Sequence, residues 1–217
     1  MSETFTCILK RDVVELTNLT TAVTSLVTYR EFDAQLPRRQ RPKLSSATRL
    51  AGGLWQYYDL NQRLEKLDAN PQKTPLLILN RYANWDYVME VMSSDIAVTL
   101  DGVNSYVATA WFPASLQGYL TIEQGNKAEA LTLATSNICI QAAAIDSLFQ
   151  QNLEGERVGA VVVGTFECIP KRIGTRSITE GKSAAFGAFS LISSEDNEAD
   201  IFATLSIHKE LYHHVSN

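Results

Sequence analysis

From Leu76 onward the chain is built of short apolar runs separated by turn chemistry, and this spacing constrains the fold more than any other feature. Leu76–Leu79 is one run and residues 87–92 another. Ile96, Val98 and Leu100 alternate with Ala97 and Thr99 before Asp101-Gly102, so residues 95–112 read as a hairpin. Residues 118–123 add a short strand. Residues 158–169 are long and rich in β-branched side chains, with Gly159 and Gly164 marking bends or close packing. Residues 184–192 follow. In residues 200–208, Ile201, Ala203, Leu205 and Ile207 share one face of an extended chain, an alternation typical of antiparallel sheets. About seven short strands of this kind predict a sandwich, jelly roll or barrel.

One helix stands out among the strands. Ala128, Leu131, Thr135, Ile138, Ala142, Ile145 and Phe149 recur at spacings of three and four, which predicts a helix over 127–153 ended by Gly155 and covering a sheet face.

Before Leu76 the pattern is helical and locally basic. Leu16, Leu19, Val23 and Leu26 have helical spacing within residues 13–30, although the many Thr and Val residues there keep a strand open. Pro37 and Pro42 bracket Arg38, Arg39 and Arg41, with Lys43 just beyond, and exclude a regular helix. Ser45 or Ser46 caps a second helix carrying Leu50, Leu54, Tyr57, Leu60, Leu64 and Leu67, weakened by Gly52-Gly53. The expected class is therefore α+β and mainly β. A helical N-terminal arm with a basic linker spans 1–70, and an antiparallel β-sandwich or jelly-roll domain with one long helix spans 71–217.

Charge follows the same division. Residues 1–66 hold ten Lys/Arg against seven Asp/Glu, whereas the remaining 151 hold nine against seventeen. Such asymmetry suggests two surfaces with different partners. Arg38, Arg39, Arg41, Lys43 and Arg49 are the candidate nucleic-acid contacts, each able to neutralise a phosphate and release counterions. Lys171, Arg172, Arg176 and Lys182 form a second basic spot. Gly181-Lys182-Ser183 lacks the upstream glycine, the parallel strand and the helix of a phosphate loop.

The residues for catalysis are sparse. His208, His213 and His214 are the only histidines, all within the last ten positions, so no body histidine is expected to activate Cys7, Cys139 or Cys168. Those cysteines read as reduced thiols. An adjacent histidine pair on a strand chelates poorly, and no metal or other cofactor is expected. Trp85 and Trp111 lie near expected strand ends, where packing outweighs base stacking. The carboxylates Asp95, Asp101, Glu195, Asp196 and Glu198 sit in turns. Asn18-Leu19-Thr20 is a chance glycosylation match, because the N-terminus lacks signal-peptide character. No apolar run reaches the ~18–20 residues of a membrane span.

Two segments carry a family resemblance. Residues 106–115 (Tyr-Val-Ala-Thr-Ala-Trp-Phe-Pro-Ala-Ser) resemble the strand of tymovirus-like coat proteins that ends in tryptophan shortly before proline. Residues 203–208 (Ala-Thr-Leu-Ser-Ile-His) are similar to the final strand of that family. The resemblance implies a jelly-roll capsid subunit that packs with copies of itself into a shell and encloses RNA, located in the virion or host cytoplasm. The chain departs from such coats in lacking a long basic arm. A phage tail-tube-like subunit fits the long helix, and a non-assembling single-stranded nucleic-acid-binding module is the other alternative. An enzyme is not expected, and neither is a membrane partner.

Overall fold

The computed structural model describes residues 2–82, 84–93, 110, 112–153, 156–169 and 184–216. The chain opens with an antiparallel meander: β1 (Glu3–Lys10), β2 (Val13–Asn18) and β3 (Val23–Thr28). A short helix α1 (Tyr29–Asp33) leads through a turn and a 3-10 segment (Arg41–Lys43) to α2 (Ser46–Tyr57) and α3 (Leu60–Lys66). Then come β4 (Leu76–Leu79), α4 (Trp85–Ser93), α5 (Ser115–Glu123), β5 (Ala130–Leu133) and α6 (Ile138–Phe149). A two-residue ladder pairs β6 (Asn152–Leu153) with β7 (Glu156–Arg157). The chain ends with β8 (Ala160–Ile169), β9 (Ala184–Ser193) and α7 (Glu198–Ser216).

Seven strands form one mixed sheet in the order β3-β2-β1-β9-β8-β4-β5. The β8–β9 and β9–β1 pairs are antiparallel, but β4 runs parallel to both β5 and β8. Parallel neighbours need crossovers, and helices supply them on both faces. Alternation along β4 shows the layering: Leu76 and Ile78 join the core under α2, while Leu77 and Leu79 join the core under α6 and α7. The first core also holds Phe5, Cys7, Leu50, Leu54, Phe166 and Phe189. Three layers result, helix on sheet on helix.

This architecture corrects the expected jelly roll. The molecule is a mixed α+β fold with seven helices and a seven-stranded sheet among the described residues, and the parallel β4, β5 and β8 exclude a two-sheet antiparallel sandwich there. The helix expected over 13–30 is instead β2, a turn through Ala22 at positive φ, and β3. Its apolar stripe was not a core stripe, since Leu19, Val23 and Leu26 are exposed. Val13, Val14, Val23 and Val27 prefer the pleated surface that pairing offers. The core under α2 draws on residues from both sides of position 70.

Three strand expectations become helices. Residues 87–92 lie in α4, and residues 118–123 lie in α5, where Leu116 and Leu120 are buried one turn apart. Short apolar runs do not separate strand from helix by periodicity alone. Residues 200–208 lie in α7. There the buried set is Ile201, Thr204, Leu205 and His208, a helical stripe hidden under the apparent alternation. Asn197 starts that helix by accepting the Asp200 N–H at 3.0 Å.

The long helix expected over 127–153 is shorter. Residues 130–133 form β5, and Asn137 caps α6 by accepting the Cys139 N–H at 3.0 Å. Ala142, Ile145 and Leu148 form the buried face, with Phe149 packed beside them. The hairpin expected over 95–112 falls outside the described residues apart from Ala110 and Phe112. The second basic spot, Gly181-Lys182-Ser183, Trp111 and Gly155 also fall outside them.

Close packing uses two glycines of the sheet. A Cβ on Gly164 would meet Ile78 and Phe189 at 2.8 Å, and one on Gly187 would meet the Phe166 ring at 2.0 Å. The two rings pack 4.6 Å apart at their centroids, in space that these glycines leave.

Candidate functional site: a polar crevice at the ends of the parallel strands

The two crossovers around β5 run over opposite faces. The connection from β4 to β5 carries α5, which joins the α2 core, whereas the connection from β5 to β8 carries α6 on the other face. The carboxyl ends of β4 and β5 thus feed chains that diverge, the geometry at which open α/β sheets leave a binding crevice. A cavity of about 300 Å³ lies there.

Its walls come from five elements. Leu79, Asn80 and Arg81 continue β4, and Leu133 to Ser136 carry β5 toward α6. Thr165 and Glu167 stand on β8, Gln141 on α6, and His208 and Lys209 on α7. The amino end of α6 opens beside Ser136, so its partial positive charge favours an electronegative atom in the crevice.

Glu167 organises the loop beyond β4. It is buried, and its carboxylate accepts the backbone N–H of Arg81 and that of Tyr82, the latter at 2.8 Å. Asn80 is tied to the same strand by accepting the Phe166 N–H at 3.0 Å. Gln141 donates to the Thr135 carbonyl at 2.6 Å, pinning the turn that leads into α6.

His208 lies buried between Ser190 and Thr165, each hydroxyl 2.9 Å from a ring nitrogen. Burial lowers its pKa to about 4. At neutral pH it is therefore an uncharged hydrogen-bonding bridge between β8, β9 and α7. The Ser190 hydroxyl also pairs with Thr4 at 2.7 Å, extending the polar chain to β1. The sequence reading confined histidine to a terminal tail; α7 folds back across the sheet and brings His208 to its centre. The buried spacing of Ile201, Leu205 and His208 was the available signal. Glu167 was missed as well, and its place in a β-branched strand was the clue.

The cysteines divide by burial. Cys7 and Cys168 are buried, and burial pushes both thiols well up, so they stay protonated. Cys139 is exposed on the first turn of α6 and does not line the crevice. Among the described residues, no group of three His, Cys, Asp or Glu side chains could hold a metal ion.

The basic cluster is not extended. Gln40 N–H bonds the Pro37 carbonyl at 2.9 Å and Lys43 N–H the Gln40 carbonyl at 2.8 Å, which folds the segment into a turn and a 3-10 helix. Arg41 donates to the carbonyls of Leu36 and Ala34, and Arg49 to that of Arg41 at 2.9 Å through Nε. Both lie within 4 Å of Asp33, at 3.8 and 3.7 Å. These two arginines brace the entry to α2, while Arg38, Arg39 and Lys43 are exposed. The cluster lies apart from the crevice.

No protein-family profile matches this chain, and no curated protein does. Solved structures do. The chain is similar to the apo AntDE:AntF complex, a type II polyketide synthase acyl-carrier protein with its ketosynthase bound to the hexaketide. That match has a TM-score of 0.53 at 19% identity and covers 76% of this chain. This chain spans only 50% of the matched one. It is also similar to the complex of the ketosynthase ApeO with its chain length factor ApeC from Xenorhabdus doucetiae. Here the TM-score is 0.54 at 15% identity, and 97% of this chain covers 89% of the matched chain. At such identities the likeness shows the fold, which is thiolase-like.

These findings overturn the coat-protein resemblance. Residues 203–208, one of its two segments, are helical rather than a closing strand. The capsid, virion and RNA-enclosing expectations are corrected with it, and so is the expectation against an enzyme, since the structural neighbours are ketosynthase complexes. The structural neighbours are complexes of biosynthetic proteins. Among the described residues no helix is long and apolar enough to cross a membrane.

Proposed function

We propose that this chain is a subunit of a ketosynthase-type condensing enzyme, assembling with a ketosynthase chain and presenting its crevice to an acyl substrate. The observation that carries this reading is the near-complete mutual coverage with a chain of the ketosynthase–chain length factor complex. The crevice supports it. It joins a buried hydrogen-bonding bridge at His208, a carboxylate-pinned loop at Glu167 and the amino end of α6, a setting that orients a polarised carbonyl.

An assembly surface accompanies the site. β5 is a four-residue edge strand, half-buried and unpaired on one side among the described residues. Ile140 on α6 and Ile122 on α5, 51% and 79% exposed, belong to the elements flanking it. An open edge beside apolar side chains is a template for strand addition from another subunit.

The test is affinity purification of the tagged chain from its source cells, followed by mass spectrometry and light scattering of the purified species. Recovery with a ketosynthase or an acyl-carrier protein in a defined complex is the expected result. A strictly monomeric chain that brings down neither, at high concentration and low salt, overturns the reading.

A further inference from the structure

β3 lies at the opposite edge of the sheet from β5, and its outer side is chemically unguarded. Edge strands are usually kept from pairing with other chains by charged side chains, proline, a bulge or mere shortness. β3 has none of these. Its six residues, Val-Thr-Ser-Leu-Val-Thr, hold no charge and no proline, and all six pair in register with β2. Among the described residues no strand lies on its other side. Val23 is 59% exposed and Leu26 70%. The two point to opposite faces, since Val23 shares its face with Val27, which packs on the core under α2. A partner lying flat on one face would cover one of them, whereas a strand added alongside covers both.

Backbone hydrogen bonds decide which strand fits. The Tyr29 N–H bonds the Asp12 carbonyl at 2.7 Å, and these residues continue the β2–β3 register by one pair. With a period of two, Val23, Ser25 and Val27 therefore turn their backbone groups toward β2, and Thr24, Leu26 and Thr28 turn theirs outward. The Thr28 N–H already meets the Glu31 carboxylate at 3.3 Å, which leaves Thr24 and Leu26 as the available pair. Antiparallel strands exchange hydrogen bonds between residues whose backbone groups face each other. A second β3 meets that condition with Thr24 opposite Leu26 and Ser25 on the two-fold axis.

We infer that this chain pairs with a second copy of itself through β3, antiparallel about a two-fold axis at Ser25, so that two sheets join into one. Val23 of each copy then lies opposite Val27 of the other, and Leu26 opposite Thr24, cross-strand pairs of apolar and β-branched side chains. The uncharged turn at residues 19–22 of each copy faces Arg30 and Glu31 at the start of α1 in the other, so no like charges meet. Tyr57, whose hydroxyl oxygen lies 3.4 Å from that of Ser25, flanks the axis from α2. The pairing uses the edge away from the β5 strand assigned to a ketosynthase partner and stands independently of that assignment.

The test is sedimentation of the purified full chain at concentrations up to millimolar, beside disulfide trapping of Ser25→Cys in a Cys139→Ser background, since Cys139 is exposed. Cα atoms of a non-hydrogen-bonded antiparallel pair lie about 4.5 Å apart, within disulfide reach. A reversible dimer is expected, with a covalent dimer from Ser25→Cys under mild oxidation and none from Ser147→Cys on α6. Thr24→Pro removes an outward N–H and leaves the ladder to β2, and Leu26→Lys sets a charge near its own two-fold mate. Each should weaken the dimer about tenfold or more with little change in the unfolding midpoint. The wild-type sedimentation and Leu26→Lys carry the test if the proline variant folds poorly. A chain that stays monomeric at millimolar concentration overturns the inference and leaves β3 for a strand of another protein. A dimer that survives both substitutions without a Ser25→Cys crosslink, or that Ile140→Lys abolishes instead, overturns it as well. A monomeric chain that still recovers a ketosynthase loses only this inference. A β3 dimer that recovers neither ketosynthase nor acyl-carrier protein loses only the proposed function.

Discussion

Single side chains hold the crevice together through backbone hydrogen bonds, and their protonation sets how the molecule responds to acid. His208 titrates near 6.5 when unfolded and near 4 when folded. The folded state thus binds the proton less well, so the stability tied to the neutral ring is complete above pH 6.5. It is lost as the pH falls toward 4, roughly 3 kcal/mol in total. Urea unfolding at pH 7.5 and 4.5 should show this loss in the wild type and a smaller one in His208→Gln. Identical acid sensitivity in the two proteins would refute the role. Glu167 offers a second test. Glu167→Gln turns one acceptor of a backbone N–H into a donor, which should lower stability by about 1–3 kcal/mol in the same assay. Its partners at Arg81 and Tyr82 should lose amide-exchange protection at the same time.

Elements are positioned by small residues and caps that helix propensity alone would misjudge. On an isolated helix, Gly53→Ala should gain up to about 1 kcal/mol. Here a Cβ on Gly53 would lie 2.4 Å from the Phe32 ring, so α1 and α2 could not keep their contact. Net destabilisation by about 1–3 kcal/mol is expected in thermal or urea unfolding, and a stabilised variant would disprove the packing argument. Asn137 is the cap that separates β5 from α6. Asn137→Ala should cost about 1 kcal/mol and loosen the crevice wall. At this scale the sequence was partly legible. α2 was read because Ser45 caps it, accepting the Thr48 N–H at 3.2 Å, and its leucines recur at helical spacing. α7 was misread because Ile201 and Leu205 belong both to the period-two set with Ala203 and Ile207 and to the buried helical stripe with Thr204 and His208, and packing against α6 and β9 chooses between them.

Among the described residues the molecule is a helix–sheet–helix layer, and of its two edge strands β5 is the one near the crevice. If β5 receives a strand from a partner, Ile140→Lys should reduce the assembled fraction in light scattering without lowering the unfolding midpoint, since Ile140 is half exposed. An unchanged assembly would move the interface elsewhere. The candidate nucleic-acid residues teach the same lesson in reverse. Arg41 and Arg49 looked like surface charge, yet their guanidinium groups are engaged by carbonyls and by Asp33, which no local pattern encodes.

By itself the sequence determined the local choices that steric and hydrogen-bonding preferences make within a few residues. These include the strands at residues 160–169 and 184–193, the capped helix α2, and the buried stripe from Ala142 to Phe149. Tertiary structure alone decided the direction of β4 and β5 and the return of α7 across the sheet. It also decided the meeting of Asn80, Gln141, Glu167 and His208 around one cavity. Those features arise from contacts between residues many tens of positions apart, where the free energy belongs to the pairing and not to either segment.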